Sequence, residues 1–137
     1  MKKKKIIYTD GSFSEDTNTV RWAYLVTDGE DVFWIEKGSM DGGGREVERA
    51  EAEAIKQAID WVRERPDNYS IVTDSKSLVD KIFSKCHNAS REPTVNYVRR
   101  TLEEFKRSPL PISLTVEWRE RCSDKWMENI DAICSSD

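Results

Sequence analysis

The sequence predicts an α/β fold with a mixed five-stranded sheet, antiparallel in strands 1–3 and parallel in the crossovers that follow, flanked by helices. Two observations predict it. Three β-rich runs separated by short turns open the chain, which is typical of an antiparallel meander. From Arg45 onward the hydrophobic period becomes helical, and helices then alternate with short strands. With 137 residues and neither a repeat nor a long linker, we expect a single domain over residues 1–137.

The strands are predicted from β-rich or alternating runs bounded by turn residues. The first run ends at Asp10-Gly11 and the second at Asp28-Gly29, and both pairs are turn signals. In chain order, the predicted strands are 6–9, 21–27, 32–37, 70–73 and 112–118.

The helices are predicted from apolar residues at helical spacing. Three glycines, 42–44, precede a long helix at 45–65, and Pro66 ends it. Its stripe consists of Val47, Ala50, Ala54, Ile55, Ala58, Ile59 and Val62. The remaining predicted helices are 75–85, a helix that follows Pro93 and ends near Arg107, and a terminal helix with Ser123 as its N-cap.

The charge balance does not exclude a phosphate-bearing partner, although the net charge is −4. Residues 76–107 contain eight basic and four acidic residues, so this segment carries +4 and the rest −8. If four acids bind two divalent cations, the loaded protein becomes formally neutral.

Composition also bears on the cellular compartment. No run approaches the roughly 18 apolar residues of a membrane span, and Lys2–Lys5 lead into no apolar segment of a signal peptide. The cysteines, Cys86, Cys122 and Cys134, are odd in number and lack CxxC spacing. They favour reduced thiols in a cytoplasmic protein over a disulfide framework or a zinc site.

Two aspartates follow strands in the same local pattern. Asp10 ends the first strand and Asp74 the fourth, each after a threonine and before a small residue. Singly, Asp10 has an ordinary explanation as a turn residue and Asp74 as a helix N-cap. If the strands are neighbours, both acids face one rim of the sheet, where sites in such folds lie.

A third acid, Glu51, lies beside the apolar stripe of the long helix, flanked by Ala50 and Ala52. Glu53 lies about 160° further round the helix, and we expect it to be a solvated surface acid. Converging carboxylates suit two hard cations roughly 3.5–4 Å apart, which activate a water and stabilise the leaving oxygen in phosphodiester hydrolysis.

Three motifs occur in order with the expected elements between them: Tyr8-Thr9-Asp10-Gly11-Ser12, Arg49-Ala50-Glu51 and Val72-Thr73-Asp74-Ser75. Together they resemble ribonuclease H, type 1, across nearly the whole chain. The resemblance implies an endoribonuclease that hydrolyses the RNA strand of RNA–DNA hybrids and leaves 3′-hydroxyl and 5′-phosphate ends. It also implies two Mg²⁺ ions, for which Mn²⁺ can substitute.

The resemblance implies four catalytic, metal-binding acids. Asp10 would bridge both ions, Glu51 and Asp74 would complete one ion site, and a fourth acid on the last helix would complete the other. Asn129-Ile130-Asp131-Ala132-Ile133 resembles the family's motif there, with its Asn and Asp closer together than is usual. Asp131 is therefore preferred, and Asp124, which suits the first turn of the helix, is the alternative.

The substrate-contacting residues that we predict are Gly11, Ser12, Lys76, Arg99 and Arg100. Three departures from the family bear on substrate and rate. Lys76 stands where the family often has a glutamine and cannot accept a hydrogen bond, while Val47 and Glu48 replace asparagines that precede the catalytic glutamate. The family's loop histidine is absent from residues 119–123, and His87 is expected at the surface.

Three alternatives stay open. One is a different nuclease on the same fold, such as a Holliday-junction resolvase or a transposase-like core. The second is a catalytically silent ribonuclease H-like domain that binds nucleic acid, and the third is the terminal domain of a reverse transcriptase. A complete set of four acids favours the enzyme. We expect it to act as a monomer.

Overall fold

The computed structural model describes residues 5–28, 31–41, 47–84, 93–108, 113–120 and 125–135. The predicted order of strands and helices is confirmed. The elements are β1 (Lys5–Ser14), β2 (Thr19–Thr27), β3 (Val32–Asp41), α1 (Val47–Glu64), β4 (Asn68–Thr73), α2 (Lys76–Ile82), α3 (Pro93–Arg107), β5 (Ser113–Trp118) and α4 (Lys125–Ser135). The predicted N-cap Ser123, together with His87, Cys86 and Cys122, lies outside the described residues.

The five strands form one mixed sheet in the order β3-β2-β1-β4-β5. β1 pairs antiparallel with β2, and β2 pairs antiparallel with β3. β4 pairs parallel with both β1 and β5. The fold class predicted from the sequence is thereby confirmed, because an antiparallel meander continues into parallel crossovers.

The two faces of the sheet are covered unequally. On one face, apolar residues of α1, α2 and α3 pack against the sheet around Ile7, Tyr24 and Ile71. On the other, α4 contributes Met127, Ile130 and Cys134, which pack on residues of β1, β2 and β4. Among the described residues, no helix is long and apolar enough to cross a membrane.

The first strand is longer than the sequence suggested. The prediction that Asp10-Gly11 ends it in a turn was wrong: β1 runs to Ser14, and Asp10 pairs with Ala23 of β2. The chain turns only after Ser14, where Asn18 adopts a positive φ of 50°, a conformation that asparagine tolerates better than most residues. Pairing with β2 along the whole of β1 therefore overrides a local turn signal.

The prediction that Glu53 is a solvated surface acid was also wrong. Its exposed fraction is 6%, and its Oε1 accepts a hydrogen bond from Gln57 Nε2 at 3.1 Å. The physical reason is that α1 contacts β1, β2, β4, α2 and α3. A helix that is covered on several sides buries residues well outside its apolar stripe.

Candidate active site

The register of the parallel pair sets Asp10 and Asp74 side by side. The pairing of β1 with β4 ends at Tyr8 and Val72, and each aspartate lies two residues beyond its end of that ladder. Both acids therefore lie at the same end of this parallel ladder, at one rim of the sheet. Thr9 ties the two strands together just below them, since its Oγ1 donates to the backbone oxygen of Val72 at 2.9 Å.

Glu51 reaches the same rim because Gly11 has no side chain. A Cβ at Gly11 would lie 2.2 Å from the backbone carbon and oxygen of Ala50 and 2.5 Å from the backbone nitrogen of Glu51. These separations are far below van der Waals contact, so only glycine lets α1 lie this close to β1. Ala50, Ala52 and Ala54, all fully buried, keep this part of the helix narrow.

Three carboxylates thus converge at the end of the parallel ladder. Asp10, Glu51 and Asp74 each place a carboxylate oxygen within 4.8 Å of the others. Asp10 and Glu51 are both 3% exposed, whereas Asp74 is half-buried. Burial, together with the neighbouring carboxylates of Asp10 and Asp74, raises the pKa of Glu51 well above its ordinary value. The cluster is therefore electrostatically costly when all three acids are ionised.

A divalent cation fits this arrangement. The three side chains offer only oxygen ligands, the kind that Mg²⁺ and Mn²⁺ prefer. Glu51 Oε2 is buried and has no hydrogen-bond partner among the described residues. A buried carboxylate oxygen without a donor is costly unless something compensates for its lost hydration. A cation among the three acids would supply that compensation.

Asp131, the predicted fourth acid, is half-buried on α4 and is not a member of the three-residue group. Its helix is nevertheless anchored beside the site. Three residues later, Cys134 Sγ lies 3.5 Å from the backbone oxygen of Asp10. Asp131 therefore stays a prediction, and the alternative, Asp124, lies outside the described residues.

The predicted substrate-contacting residues lie in three places. Gly11 is buried against α1, and Ser12 Oγ lies 3.9 Å from Cys134 Sγ. Lys76 is exposed at the start of α2, with its Nζ 5.6 Å from the ring centroid of Trp118. Arg99 and Arg100 lie further away on α3 and line an open depression of about 450 Å³ together with Pro93, Asn96 and Glu103.

Two residues that bear on the site were not identified from the sequence. Trp118, at the end of β5, donates through Nε1 to the backbone oxygen of Asp74 at 3.3 Å. Cys134 contacts the backbone of Asp10 from the face of the sheet that α4 covers, opposite to α1. Trp118 lies far along the chain from the motifs that contain Asp10 and Asp74, so no local pattern in the sequence indicated this contact. For Cys134, the only available signal was its position one turn after Asp131.

Comparison with known proteins identifies the family. The sequence matches the family model for RNase H over residues 2–122. The chain belongs to the ribonuclease H family. Members of this family are hydrolytic nucleases that act on RNA–DNA hybrids and generally depend on divalent metal ions. The matched residues include the three clustered acids of this chain. The match ends before α4, so it does not include Asp131.

Solved structures support the ribonuclease H fold. RNase H1 from the halophilic archaeon Halobacterium salinarum NRC-1 superposes with a TM-score of 0.72 at 14% identity, covering 95% of this chain and 93% of that one. LC11-RNase H1, isolated from compost by a metagenomic approach, gives a TM-score of 0.71 at 19% identity, with coverage of 95% and 93%. A search of curated protein sequences gave no match.

Proposed function

We propose that this chain is a divalent-metal-dependent endoribonuclease that hydrolyses the RNA strand of RNA–DNA hybrids, leaving 3′-hydroxyl and 5′-phosphate ends. The observation that carries the proposal is the convergence of Asp10, Glu51 and Asp74 within 4.8 Å at one rim of the sheet. Membership of the ribonuclease H family supplies the substrate class. We further propose that the enzyme acts in the cytoplasm.

The four acids have distinct proposed tasks. Asp10, which lies within the cluster, would contact both of two Mg²⁺ ions, or Mn²⁺ ions in their place. Glu51 and Asp74 would complete one ion site, and Asp131 of α4 the other. Bound cations supply Lewis acidity to the attacking water and the scissile phosphate.

The protein's own contribution is rigid placement of the acids. Gly11 fixes the distance from α1 to β1, and the Thr9 hydrogen bond fixes β1 to β4. Trp118 holds the backbone at Asp74. Preorganised ligands do not have to be ordered again when substrate binds, which lowers the barrier to reaction.

Substrate contacts are proposed for Gly11 and Ser12 near the acids and for Lys76 at the start of α2. Lys76 is exposed and can donate to a phosphate or a 2′-hydroxyl, the group that distinguishes RNA from DNA. Arg99 and Arg100 are proposed to contact the hybrid backbone further along. Arg99 is held in place because its Nη2 donates to the backbone oxygen of Ser84 at 2.8 Å.

The test is parallel cleavage of matched RNA–DNA hybrid, double-stranded RNA and double-stranded DNA with Mg²⁺ or Mn²⁺. We expect cleavage of the RNA strand of the hybrid alone and complete loss of cleavage with a chelator. Binding of the hybrid without cleavage under either metal would instead establish a silent binding domain. Cleavage of double-stranded DNA would establish a different nuclease on this fold.

A further inference from the structure

The indole of Trp118 makes two contacts beside the carboxylate cluster. Trp118 ends β5 and pairs with Thr73 of β4 in the parallel ladder, one residue before Asp74. Its Nε1 donates to the backbone oxygen of Asp74 at 3.3 Å. Its ring centroid lies 5.6 Å from the Nζ of Lys76, within the range of a cation–π interaction. One side chain thus contacts both a proposed metal ligand and a proposed substrate-binding residue.

The ring places the Lys76 ammonium without neutralising it. In the part of the chain that the structure describes, no carboxylate forms an ion pair with Lys76. An aromatic face attracts a cation through its quadrupole and carries no net charge. The positive charge of Lys76 and its three N–H donors therefore stay available for an anion. A carboxylate in the place of Trp118 would also hold the ammonium, but it would compete with the substrate for it.

The ring also reduces what substrate binding has to order. A lysine side chain has many rotamers, and fixing it at an interface costs binding free energy. The indole of Trp118 is anchored through Nε1 and is 39% exposed, so it offers a fixed and accessible surface for the ammonium. A lysine that already lies on this surface loses less conformational entropy when the substrate arrives.

We propose that Trp118 is a positioning residue for substrate binding, whose ring holds the Lys76 ammonium where it contacts a phosphate of the RNA–DNA hybrid. The inference rests on the proposed function, and within it on the proposed substrate contact of Lys76. A phosphate is the expected acceptor because hydrogen bonds between a cation and an anion are the strongest that an ammonium makes. Since α2 begins two residues after Asp74, the contact lies close to the carboxylate cluster.

A double-mutant cycle on hybrid binding tests the proposal. Fluorescence anisotropy of a labelled RNA–DNA hybrid, titrated in the presence of a chelator, gives the dissociation constant without cleavage. Lys76→Met should weaken binding about fivefold and Trp118→Leu about threefold, the size expected of an exposed cation–π contact. Because Trp118 acts through Lys76, the double variant should bind within about twofold of Lys76→Met alone. Losses that multiply, or no loss in Trp118→Leu, overturn the proposal.

The conservative variant separates the ring from its N–H group. Trp118→Phe keeps an aromatic face for Lys76 but removes the hydrogen bond to the backbone of Asp74, so its binding should be closer to wild type than that of Trp118→Leu. Equal losses in the two variants would assign the effect to the N–H group and overturn the proposal. Thermal unfolding verifies the fold of each variant, and Trp118→Met provides a second non-aromatic replacement if Trp118→Leu does not fold.

The salt dependence of binding tests the phosphate contact. The slope of log affinity against log salt should fall by about one in Lys76→Met. Lys56→Met is the matched control, because Lys56 Nζ also lies 5.6 Å from an aromatic ring, that of Tyr97 on α3, and pairs with Asp60. It removes the same charge and should leave affinity and slope unchanged. An unchanged slope in Lys76→Met, or an equal change in Lys56→Met, overturns the assignment to phosphate.

These titrations do not depend on cleavage, so the two proposals fail separately. A chain that cleaves the hybrid but shows multiplying losses refutes the role of Trp118 alone. A chain that shows the expected coupling but cleaves no hybrid with Mg²⁺ or Mn²⁺ refutes the proposed function alone.

Discussion

The two flanks of α1 each bury a glutamate, but they do so in opposite electrostatic surroundings. Glu53 lies beside Gln57, whose amide donates to it. Glu51 lies beside the carboxylates of Asp10 and Asp74, which raise its pKa. The exposed fractions, 6% and 3%, hardly differ. Burial therefore does not distinguish a site from packing, whereas the chemical character of the neighbours does.

The largest expected difference between the flanks is in catalysis. Glu51→Gln should reduce hybrid cleavage at least about 10³-fold, which corresponds to about 4 kcal/mol of barrier, because it removes a proposed metal ligand. Asp10→Asn and Asp74→Asn should have comparable effects. Glu53→Gln should stay within about threefold of wild type, since Glu53 is outside the cluster. Steady-state cleavage with Mg²⁺ measures all four, and comparable losses at positions 51 and 53 would erase the distinction.

The stabilisation by bound cations should likewise depend on Asp10 and Glu51 but not on Glu53. Mg²⁺ or Mn²⁺ at about 100 times its dissociation constant should stabilise the native state by about 2.7 kcal/mol, because it binds that state alone. Thermal unfolding with and without the cation should reveal the shift in wild type and Glu53→Gln. In Asp10→Asn and Glu51→Gln the shift should be much smaller. A wild-type midpoint that does not respond to either cation would argue against a preformed carboxylate site.

Asp131, on the helix that covers the other face of the sheet from α1, extends this comparison. Asp131→Asn should lower the Mg²⁺-supported rate by about tenfold, on the order of 1.4 kcal/mol of barrier, as expected for a ligand outside the tight three-residue cluster. Asp124→Asn should change the rate little. Single-turnover cleavage of a short hybrid compares the two, and the reverse ranking would assign the fourth ligand to Asp124.

The smallest expected effect of Glu51 is on how the free energy of unfolding changes with pH in the absence of cations. The pKa of Glu51 is raised above its ordinary value of 4.5, so the folded chain holds this proton more tightly than the unfolded chain. That stabilisation is complete below the ordinary value and is lost as pH rises through the raised pKa. As the pH rises from 4.5 through the raised pKa, the wild type should therefore lose the contribution of Glu51 to stability.

The measurement is urea unfolding in the presence of a chelator across that pH range. Glu51→Gln cannot ionise at this position, so its free energy of unfolding should fall less steeply with pH. Glu53→Gln should keep the wild-type slope. Identical slopes for wild type and Glu51→Gln would mean that Glu51 ionises normally in the folded chain.

Much of the fold and three of the acids were predictable because they depend on local patterns. Hydrophobic period gave the element order, and the repeated Thr-Asp pattern placed Asp10 and Asp74 after strands that proved to be neighbours. The end of β1 was not predictable, because Asp10-Gly11 is a turn signal in isolation. Only the partner strand β2 and the close approach of α1 reveal that the glycine serves packing within a continuing strand.

The misplacement of Glu53 has a different cause. Helical periodicity tells which residues share a face, but not how many elements surround the helix. α1 lies among β1, β2, β4, α2 and α3, so its buried arc is wider than the apolar stripe indicates. Neither the contact of Trp118 with Asp74 nor that of Cys134 with Asp10 follows from pattern, since each joins positions far apart in sequence.

The position of Cys134 gives the protein a natural chemical reporter. Cys134 is 2% exposed, and burial, together with the charge of Asp10, raises the pKa of its thiol to about 11. The reactive thiolate is thus nearly absent at neutral pH while α4 stays docked. Alkylation of Cys134, located by mass spectrometry, would proceed mainly through molecules in which α4 has lifted from β1. Its labelling rate would therefore measure how often the last helix detaches from the strand that carries Asp10.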